Sequence, residues 1–385
     1  MKKILIITDI CISQKHNAGN KNALLALCEF LRMKNYTIDI INFHYSKPDS
    51  EDFKLFTIYH YPDFLNLIYR KTLEKLKLKP KLLDYKKSFF RKLILRLCIK
   101  KNYDAIFIEY IENHHLINEC RRFSSNIICD LHDVMYLRKQ SFLENNDAPK
   151  KENLNISLKE ETDIINKFNA VLAIEESEKN FLIENNVNST VLLCKRTIVK
   201  NNILKIKTPI LESVNIGFIG SAAEFNITTI LSFIAEIWNP YLSSNNYTLI
   251  IGGNVCNHLI KSNTIIKGNY KILGRISEIE DFYSKIHLSI NPVISGSGFK
   301  TKNAESLSYG VPIITSMNGI KGFESINERY CKTILEHTSS EWICHIEKIK
   351  SDFFSDYNLK IHCHDHYNEV FNIKNNFKEL EDYLS

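Results

Sequence analysis

Asn291-Pro-Val-Ile-Ser-Gly-Ser-Gly-Phe-Lys-Thr-Lys-Asn-Ala-Glu-Ser-Leu-Ser-Tyr-Gly-Val-Pro-Ile-Ile-Thr-Ser-Met-Asn-Gly319 decides how the rest of this chain is read. The apolar run Leu288 to Ile290 predicts a strand that feeds a turn, Gly296-Ser297-Gly298, and the turn opens a helix. A second apolar run, Val311 to Thr315, follows Gly310 and predicts the next strand. A glycine-rich turn at a helix N-terminus offers free backbone N–H groups and the positive end of a dipole, which suits an anion such as a diphosphate. Lys300 and Lys302 add full charges on the first turns of that helix, and Glu305 can hold a sugar diol. The stretch reads as a pocket for a phosphorylated, hydroxyl-rich ligand.

On either side, short apolar runs alternate with helical patterns, which predicts βα units and parallel sheets. The first half offers strands at Ile4–Ile7, Thr37–Ile41, Ala105–Ile108, Asn126–Cys129, Ala170–Ile174 and Thr190–Leu193. Residues 20–34 predict a helix that buries Leu24, Leu25, Leu27, Leu31 and Met33. The segment 196–213 loses periodicity, contains Pro209 and reads as a linker. A second series follows at Val214–Ile219, Thr248–Ile251, Lys271–Leu273, Leu288–Ile290 and Pro312–Thr315. At 385 residues the chain exceeds what one hydrophobic core usually supports. The expectation is an α/β protein of two Rossmann-like, doubly wound domains facing across a cleft: 1–205, 206–365, and a C-terminal helix, 366–385, returning to the first domain. Ligands in such sheets lie outside the carboxyl ends of the strands.

Ten cysteines are scattered without a CxxC pair, so neither a disulfide framework nor a cysteine zinc site is signalled, and reduced thiols in the cytoplasm are the simpler expectation. The start, Met-Lys-Lys-Ile-Leu-Ile-Ile-Thr-Asp, has an apolar run of about four residues, short of the roughly seven of a secretory signal, and predicts a strand. No stretch approaches the roughly 18 apolar residues of a spanning helix. The net charge of +6 is unevenly spread: between Arg70 and Lys101 stand thirteen Lys/Arg against two acids. Leu73, Leu76, Phe89, Phe90, Leu93, Ile94 and Leu97 interleave with them, a pattern open to two readings, a basic amphipathic surface for an anionic membrane or a solvated helix face. No nucleic-acid-binding module is recognised, and nucleic acid is not an expected partner.

Other strand ends carry further candidates. Asn17-Ala18-Gly19-Asn20 lets backbone approach a ligand at Gly19 but falls short of G-x-G-x-x-G, and no P-loop is present. In Asp130-Leu131-His132-Asp133, His132 and a carboxylate can do acid/base or positioning work; alternatively Asp133 caps the next helix and His132 is an ordinary loop residue. Gly217-Phe-Ile-Gly220-Ser221 reads as a tight βα turn, with Asn226 as N-cap of the following helix. Gly274 lets backbone approach a flat base, with Arg275 and Ile276 beside it. His362 and His366 stand at i,i+4 in His-Cys-His-Asp-His, which is short of a closed metal site, and no metal is expected.

The second half resembles the donor domain of retaining, GT-B-fold nucleotide-sugar glycosyltransferases of group 1, a family-4-like class. The resemblance rests on Ile216-Gly-Phe-Ile-Gly-Ser221, on Leu273-Gly-Arg-Ile-Ser-Glu-Ile-Glu-Asp-Phe-Tyr283, and above all on Gly-Ser-Gly-x-Lys-x-Lys-x-x-Glu-Ser-Leu-x-x-Gly-x-Pro within 291–319. The first half is similar more loosely, through Ala18-Gly19, Asp130-Leu-His-Asp133 and Ala173-Ile-Glu-Glu-Ser177. The resemblance implies that Glu305 holds the donor ribose, and that Lys300, with the Gly296, Ser297 and Gly298 amides and Phe299 beside them, receives the diphosphate. Lys302 would assist. Gly19 would approach the phosphate from the other domain, and Gly220 and Ser221 would line the donor pocket. Gly274, Arg275 and Ile276 would receive the base, and His132 would sit at the donor sugar. It further implies a UDP- or GDP-linked sugar as donor, no separate cofactor, and a glycan or lipid-linked glycan as acceptor. Two departures stand out. Ser297 occupies a position where many relatives carry a glutamate, and residues 221–230 lack the Arg and Lys that many place after the first strand. A nucleotide-sugar epimerase, or a non-catalytic binding subunit of the same fold, are the alternatives.

Overall fold

The computed structural model describes residues 2–13, 19–75, 89–144, 156–198, 213–243, 246–293, 299–336 and 338–385. Its strands are short, nearly continuous Ile/Leu/Val runs, the composition of strands covered on both faces. They form two wholly parallel sheets among the described residues.

The first sheet contains β1 (Lys3–Thr8), β2 (Thr37–Asn42), β3 (Thr57–His60), β4 (Ala105–Glu109), β5 (Ile127–Asp130), β6 (Ala170–Ala173) and β7 (Thr190–Leu193), in the order β3-β2-β1-β4-β5-β6-β7. The second contains β8 (Val214–Ile219), β9 (Tyr247–Gly252), β10 (Tyr270–Gly274), β11 (Leu288–Asn291), β12 (Ile313–Ser316) and β13 (Cys331–Ile334), in the order β10-β9-β8-β11-β12-β13. Strand order reverses between β1 and β4 in one sheet and between β8 and β11 in the other. Those two points are where a doubly wound sheet opens a crevice for ligand. Every candidate strand appears, with ends shifted by a residue or two, whereas β3 and β13 went unpredicted. Both are edge strands, and their sequences, Thr-Ile-Tyr-His and Cys-Lys-Thr-Ile, lack the long apolar run of the central ones.

Each sheet is packed on two faces. Ile4, Ile6, Ile40 and Phe107 turn to one side of the first sheet, while Leu5, Ile7, Ile41 and Ile106 turn to the other. The helix Gly19–Met33 buries Leu24, Leu25, Leu27 and Leu31 as expected, but Met33 is exposed, because the helix ends there in a turn with Asn35 at positive φ. The break expected over 196–213 starts later than its composition suggests. Arg196, Thr197 and Ile198 are buried, the latter two bonded to Phe371 O and the Tyr367 hydroxyl; residues 199–212, with Pro209 and the 205/206 boundary, lie outside the described residues.

The helix Leu359–Val370 runs through the expected 365/366 boundary and packs on the helix Thr301–Ser308. The chain then turns at Phe371 and Asn372, and two short helices, Ile373–Asn376 and Lys378–Leu384, lie against the first domain. Phe377 stacks on Phe30 at 4.9 Å, and Glu379 accepts from Lys179 and from the backbone of Leu193.

Candidate active site

The helix Thr301–Ser308 is held by a buried polar lattice. Asn291 Nδ2 donates to Asn303 Oδ1 at 2.8 Å, and Asn303 Nδ2 donates to Gly319 O at 2.8 Å. Ser306 Oγ donates to Val311 O, and Thr315 Oγ1 to Asn291 O. These bonds tie the end of β11, the helix and β12 into one unit, which explains why small polar residues occupy buried positions in this stretch. Gly296, Ser297 and Gly298 lie outside the described residues.

Three ionisable side chains converge at this unit. Lys300 is buried immediately before the helix, and burial lowers its ammonium pKa to about 8, against the pull of Glu175. Lys302 is lowered to about 7, again chiefly by burial, with Glu305 acting in the opposite sense. Its ammonium donates to Asn226 Oδ1 and sits 4.7 Å over the Phe218 ring. Glu305 is raised to about 7 by burial, with Lys302 and Tyr283 opposing. The Tyr283 hydroxyl stands 3.5 Å from its carboxylate, a contact rather than a good hydrogen bond. A lysine supported by a neutral amide and an aromatic face in a desolvated setting has been stripped of water without receiving a full counter-ion. Such a site favours an incoming anion.

Asn226 reaches this cluster from the helix Glu224–Phe233. The expectation that Asn226 caps that helix is corrected: Ala223 is the N-cap, and the Asn226 amide nitrogen donates to Ser221 Oγ at 3.0 Å. Asn226 thereby joins the β8 turn to Lys302, a role invisible in its spacing. Gly220 is buried and bonded to Gly252 O at 3.1 Å. Gly274 has φ +71 with open space where a Cβ would lie; Arg275 beside it is exposed, and Ile276 packs on the Phe282 cluster.

The first domain approaches this cluster at Gly19. A Cβ there would fall 2.3 Å from Thr301 Oγ1, so the N-termini of Gly19–Met33 and Thr301–Ser308 face one another across the cleft. Residues 14–18, with Asn17 and Ala18, lie outside the described residues.

His132 is placed by a second cluster. It follows β5 with φ +62, and Tyr110, after β4, has φ +66. The other positive-φ non-glycine residues among those described are asparagines after helices, where that conformation is cheap. Two strained residues side by side at adjacent strand ends mark a site the fold holds at a cost. Their rings stack with centroids 4.0 Å apart, and His132 Nε2 lies 2.5 Å from Glu109 Oε2. Asn20 Nδ2 donates to the Tyr110 hydroxyl at 2.9 Å, linking this group to the Gly19 turn.

Glu109 is fully buried, and burial followed by the nearby Asp130 charge raises its pKa. Asp130 resists the same burial because Arg196 grips it at 2.8 and 2.5 Å, holding its carboxyl below the ordinary value. Side-chain atoms of Glu109, Asp130 and His132 converge closely enough to surround a metal ion, but both Asp130 oxygens are engaged by the guanidinium. The sequence held a signal for this group: β4 and β5 each end on an acid, and Glu109 pairs in register with Asp130.

The capping alternative for Asp133 is corrected. The backbone N–H groups at the start of Met135–Glu144 are taken by Glu178, at Val134, and by Glu161, at Met135 and Tyr136, while Asp133 pairs with Arg138. Distant carboxylates do the capping. In the C-terminal histidine run, His362 pairs with Asp356, His364 bonds Ser308 O, and His366 accepts from Asn327 N, so each is engaged separately.

Among the described residues no helix is long and apolar enough to cross a membrane. The helices Phe64–Lys75 and Phe89–Cys98 nevertheless expose Phe64, Leu65, Ile68, Tyr69, Phe89, Leu93 and Leu97; residues 76–88 between them lie outside the described residues.

Residues 213–351 match the family described as glycosyl transferases group 1. No curated protein matches the chain in sequence. Among solved structures, a sucrose-phosphate synthase from Thermosynechococcus elongatus superposes with a TM-score of 0.66 at 14% identity, covering 100% of this chain and 98% of that one. Anabaena HepE in complex with UDP and glucose gives 0.64 at 13% identity, covering 100% and 99%. The lipopolysaccharide outer core galactosyltransferase WaaB gives 0.61 at 11% identity, covering 99% of each chain. At these identities the likeness establishes the fold, two facing parallel-sheet domains of GT-B type. The match over residues 213–351 makes the second domain similar to the group 1 glycosyl transferases, within a chain of GT-B fold, and together the two support a transferase enzyme.

Proposed function

We propose that this enzyme moves a sugar from a nucleoside-diphosphate sugar, UDP- or GDP-linked, to a hydroxyl of a growing glycan, with retention at the anomeric carbon. The observation that carries the reading is the convergence of Lys300, Lys302 and Glu305, all desolvated, at the helix N-terminus that faces Gly19. The leaving group is a nucleoside diphosphate, so the main catalytic demand is stabilising charge on phosphate oxygens. Two lysines and converging helix termini meet that demand without reorganising. Glu305 accepts the ribose hydroxyls, and Lys302, reaching the β8 turn through Asn226, supplies a cation where residues 221–230 have none. The turns at Gly220–Ser221 and Gly274–Ile276 take the nucleoside, and His132 faces the sugar from the other domain.

WaaB acts on the lipopolysaccharide outer core and HepE was solved with UDP and glucose, which supports a surface-glycan acceptor and a UDP-sugar donor here. The basic, apolar-studded helices at 64–75 and 89–98 favour work on a lipid-linked acceptor at the inner face of the cytoplasmic membrane.

The test is a panel of nucleotide sugars incubated with the protein, with and without lipid-linked acceptors, scoring free nucleoside diphosphate, with Glu305→Ala and Lys300→Ala as controls. Release that both variants abolish supports the transferase. Conversion of the donor sugar without release supports an epimerase, and thermal stabilisation without either supports a binding subunit. A protein that no nucleotide stabilises refutes the reading.

A further inference from the structure

A cavity of about 280 Å³ lies between the two domains beside Lys300. Its first-domain wall is Glu175 and Ser177, at the start of the helix Glu176–Glu184, with Lys195 after β7. Its second-domain wall is Phe299, Lys321 and Gly322.

Glu175 is the informative residue. It is 7% exposed, and while its Oε1 accepts from Ser177 Oγ at 2.9 Å, its Oε2 is buried with no hydrogen-bond partner among the described residues. A buried carboxylate oxygen left unpaired costs more than most folds tolerate unless a ligand completes it. The oxygen faces Gly322, where a Cβ would stand 3.6 Å away and φ is +82, so the glycine keeps the space in front of the carboxylate open. Phe299 is fixed by Phe323 and Phe371, with ring centroids at 5.0 and 6.0 Å, and contributes an immobile aromatic wall.

A rigid aromatic surface, a carboxylate acceptor short of a donor, and lysine donors from both domains together suit a ring that is apolar on its faces and hydroxylated at its edge. The cavity falls just under the roughly 300 Å³ at which small-molecule sites begin, room for one such ring and not for a nucleotide. Glu175 and Glu178 both act on Lys300, which puts the cavity next to the diphosphate cation. Resting on the nucleotide-sugar reading above, we infer that this cavity is a hexopyranose subsite in which Glu175 Oε2 accepts a sugar hydroxyl. The sugar comes either from the donor or from the acceptor glycan.

Two variants test it. Glu175→Gln keeps the shape and removes the charge; Glu176→Trp, from an exposed position on the cavity wall, fills the cavity and leaves the bonds of the buried carboxylate alone. Affinities for UDP and GDP, for a panel of UDP- and GDP-sugars, and for methyl glucoside, galactoside and N-acetylglucosaminide are measured by titration calorimetry and saturation-transfer NMR. Both variants are expected to weaken sugar binding about tenfold or more and to leave nucleoside-diphosphate affinity within about twofold, since only a charge-assisted bond and the space are lost. A donor sugar shows as weaker nucleotide-sugar binding, an acceptor sugar as lost glycoside binding with nucleotide-sugar affinity intact. Unchanged sugar binding in both variants, with UDP or GDP still bound, overturns the subsite alone. Failure of every nucleotide to bind the parent protein overturns the donor reading and this inference with it.

Discussion

Nucleotide binding should draw protons from solution, and the structure fixes roughly how many. Burial lowers Lys302 to about 7 and Lys300 to about 8. At about pH 8 the empty site therefore carries about a tenth of a proton on Lys302 and about half on Lys300. A bound diphosphate supplies the missing counter-charge and returns both toward the ordinary lysine value, so binding takes up about 0.9 proton at the first and about 0.5 at the second, roughly 1.4 in all. Glu305, raised to about 7, is already mostly ionised at that pH and contributes little, and the phosphates, with a second ionisation near 6, are ionised as well. Because the complex holds more protons than the free protein, affinity falls as pH rises through the window from about 7 to 9. Titration calorimetry with UDP or GDP in buffers of different ionisation enthalpy reads the uptake directly. Lys302→Met should lower it to about 0.5 proton by removing the larger share. A parent uptake near zero at that pH would refute the reasoning, since lysines so placed either are not desolvated or do not meet the diphosphate.

Four further variants carry expected outcomes. Glu109→Gln should lower kcat by about tenfold, as the charge-assisted contact to His132 becomes a neutral one. The same variant should lose less melting temperature than the parent as pH rises above the ordinary carboxylate value of 4.5, because Glu109's raised pKa makes its contribution to folding present below that pH and lost above it. Gly19→Ala should weaken nucleotide-sugar binding by roughly 1–3 kcal/mol through its collision with Thr301, and Thr301→Ala in the same chain should restore most of it. Arg196→Met should cost about 3–5 kcal/mol by stranding buried Asp130, read as a calorimetric melting shift that Asp130→Asn in the same chain reduces. Phe89→Ser with Leu93→Ser should cut sedimentation with phosphatidylglycerol vesicles without altering nucleotide affinity; unchanged sedimentation would leave the helix 89–98 as a solvated face.

The fold could be read because parallel strands buried on both faces leave continuous apolar runs, and the runs from Ile4 to Ile7 and from Val214 to Ile219 have no other use. The edge strands β3 and β13 escaped because Thr-Ile-Tyr-His and Cys-Lys-Thr-Ile break their apolar residues with polar ones, whereas the edge strands β7 and β10 kept enough of a run to be read. Lys300, Lys302 and Glu305 were visible as a spacing on one helix. Glu109, Tyr110 and Asn226 were not, since each acts on a residue from another element: Glu109 on His132 across two strands, Asn226 on Lys302 across two helices. Spacing along a chain reports what a single element does. The sheet order brings Glu109 beside Asp130, and that order emerges only once all the strands pair. Glu161 and Glu178 make the same point, because they satisfy N–H groups whose neighbour Asp133 looked like the natural cap.

The path of the chain between domains has a mechanical consequence. It leaves the first domain after β7 and returns at Phe371–Asn372, where Tyr367 and Phe371 also bond Ile198 and Thr197 of the outgoing segment. Two crossings pinned side by side behave as the two leaves of a door hinge. Held together in this way, they oppose sliding and twisting of one sheet against the other. A single crossing would be a tether, and the cleft could close in many wrong ways. Cutting the chain after Val370 would spare every strand of both sheets and still lose that guidance, together with the buried Phe377, Leu380 and Leu384 of the first domain's core.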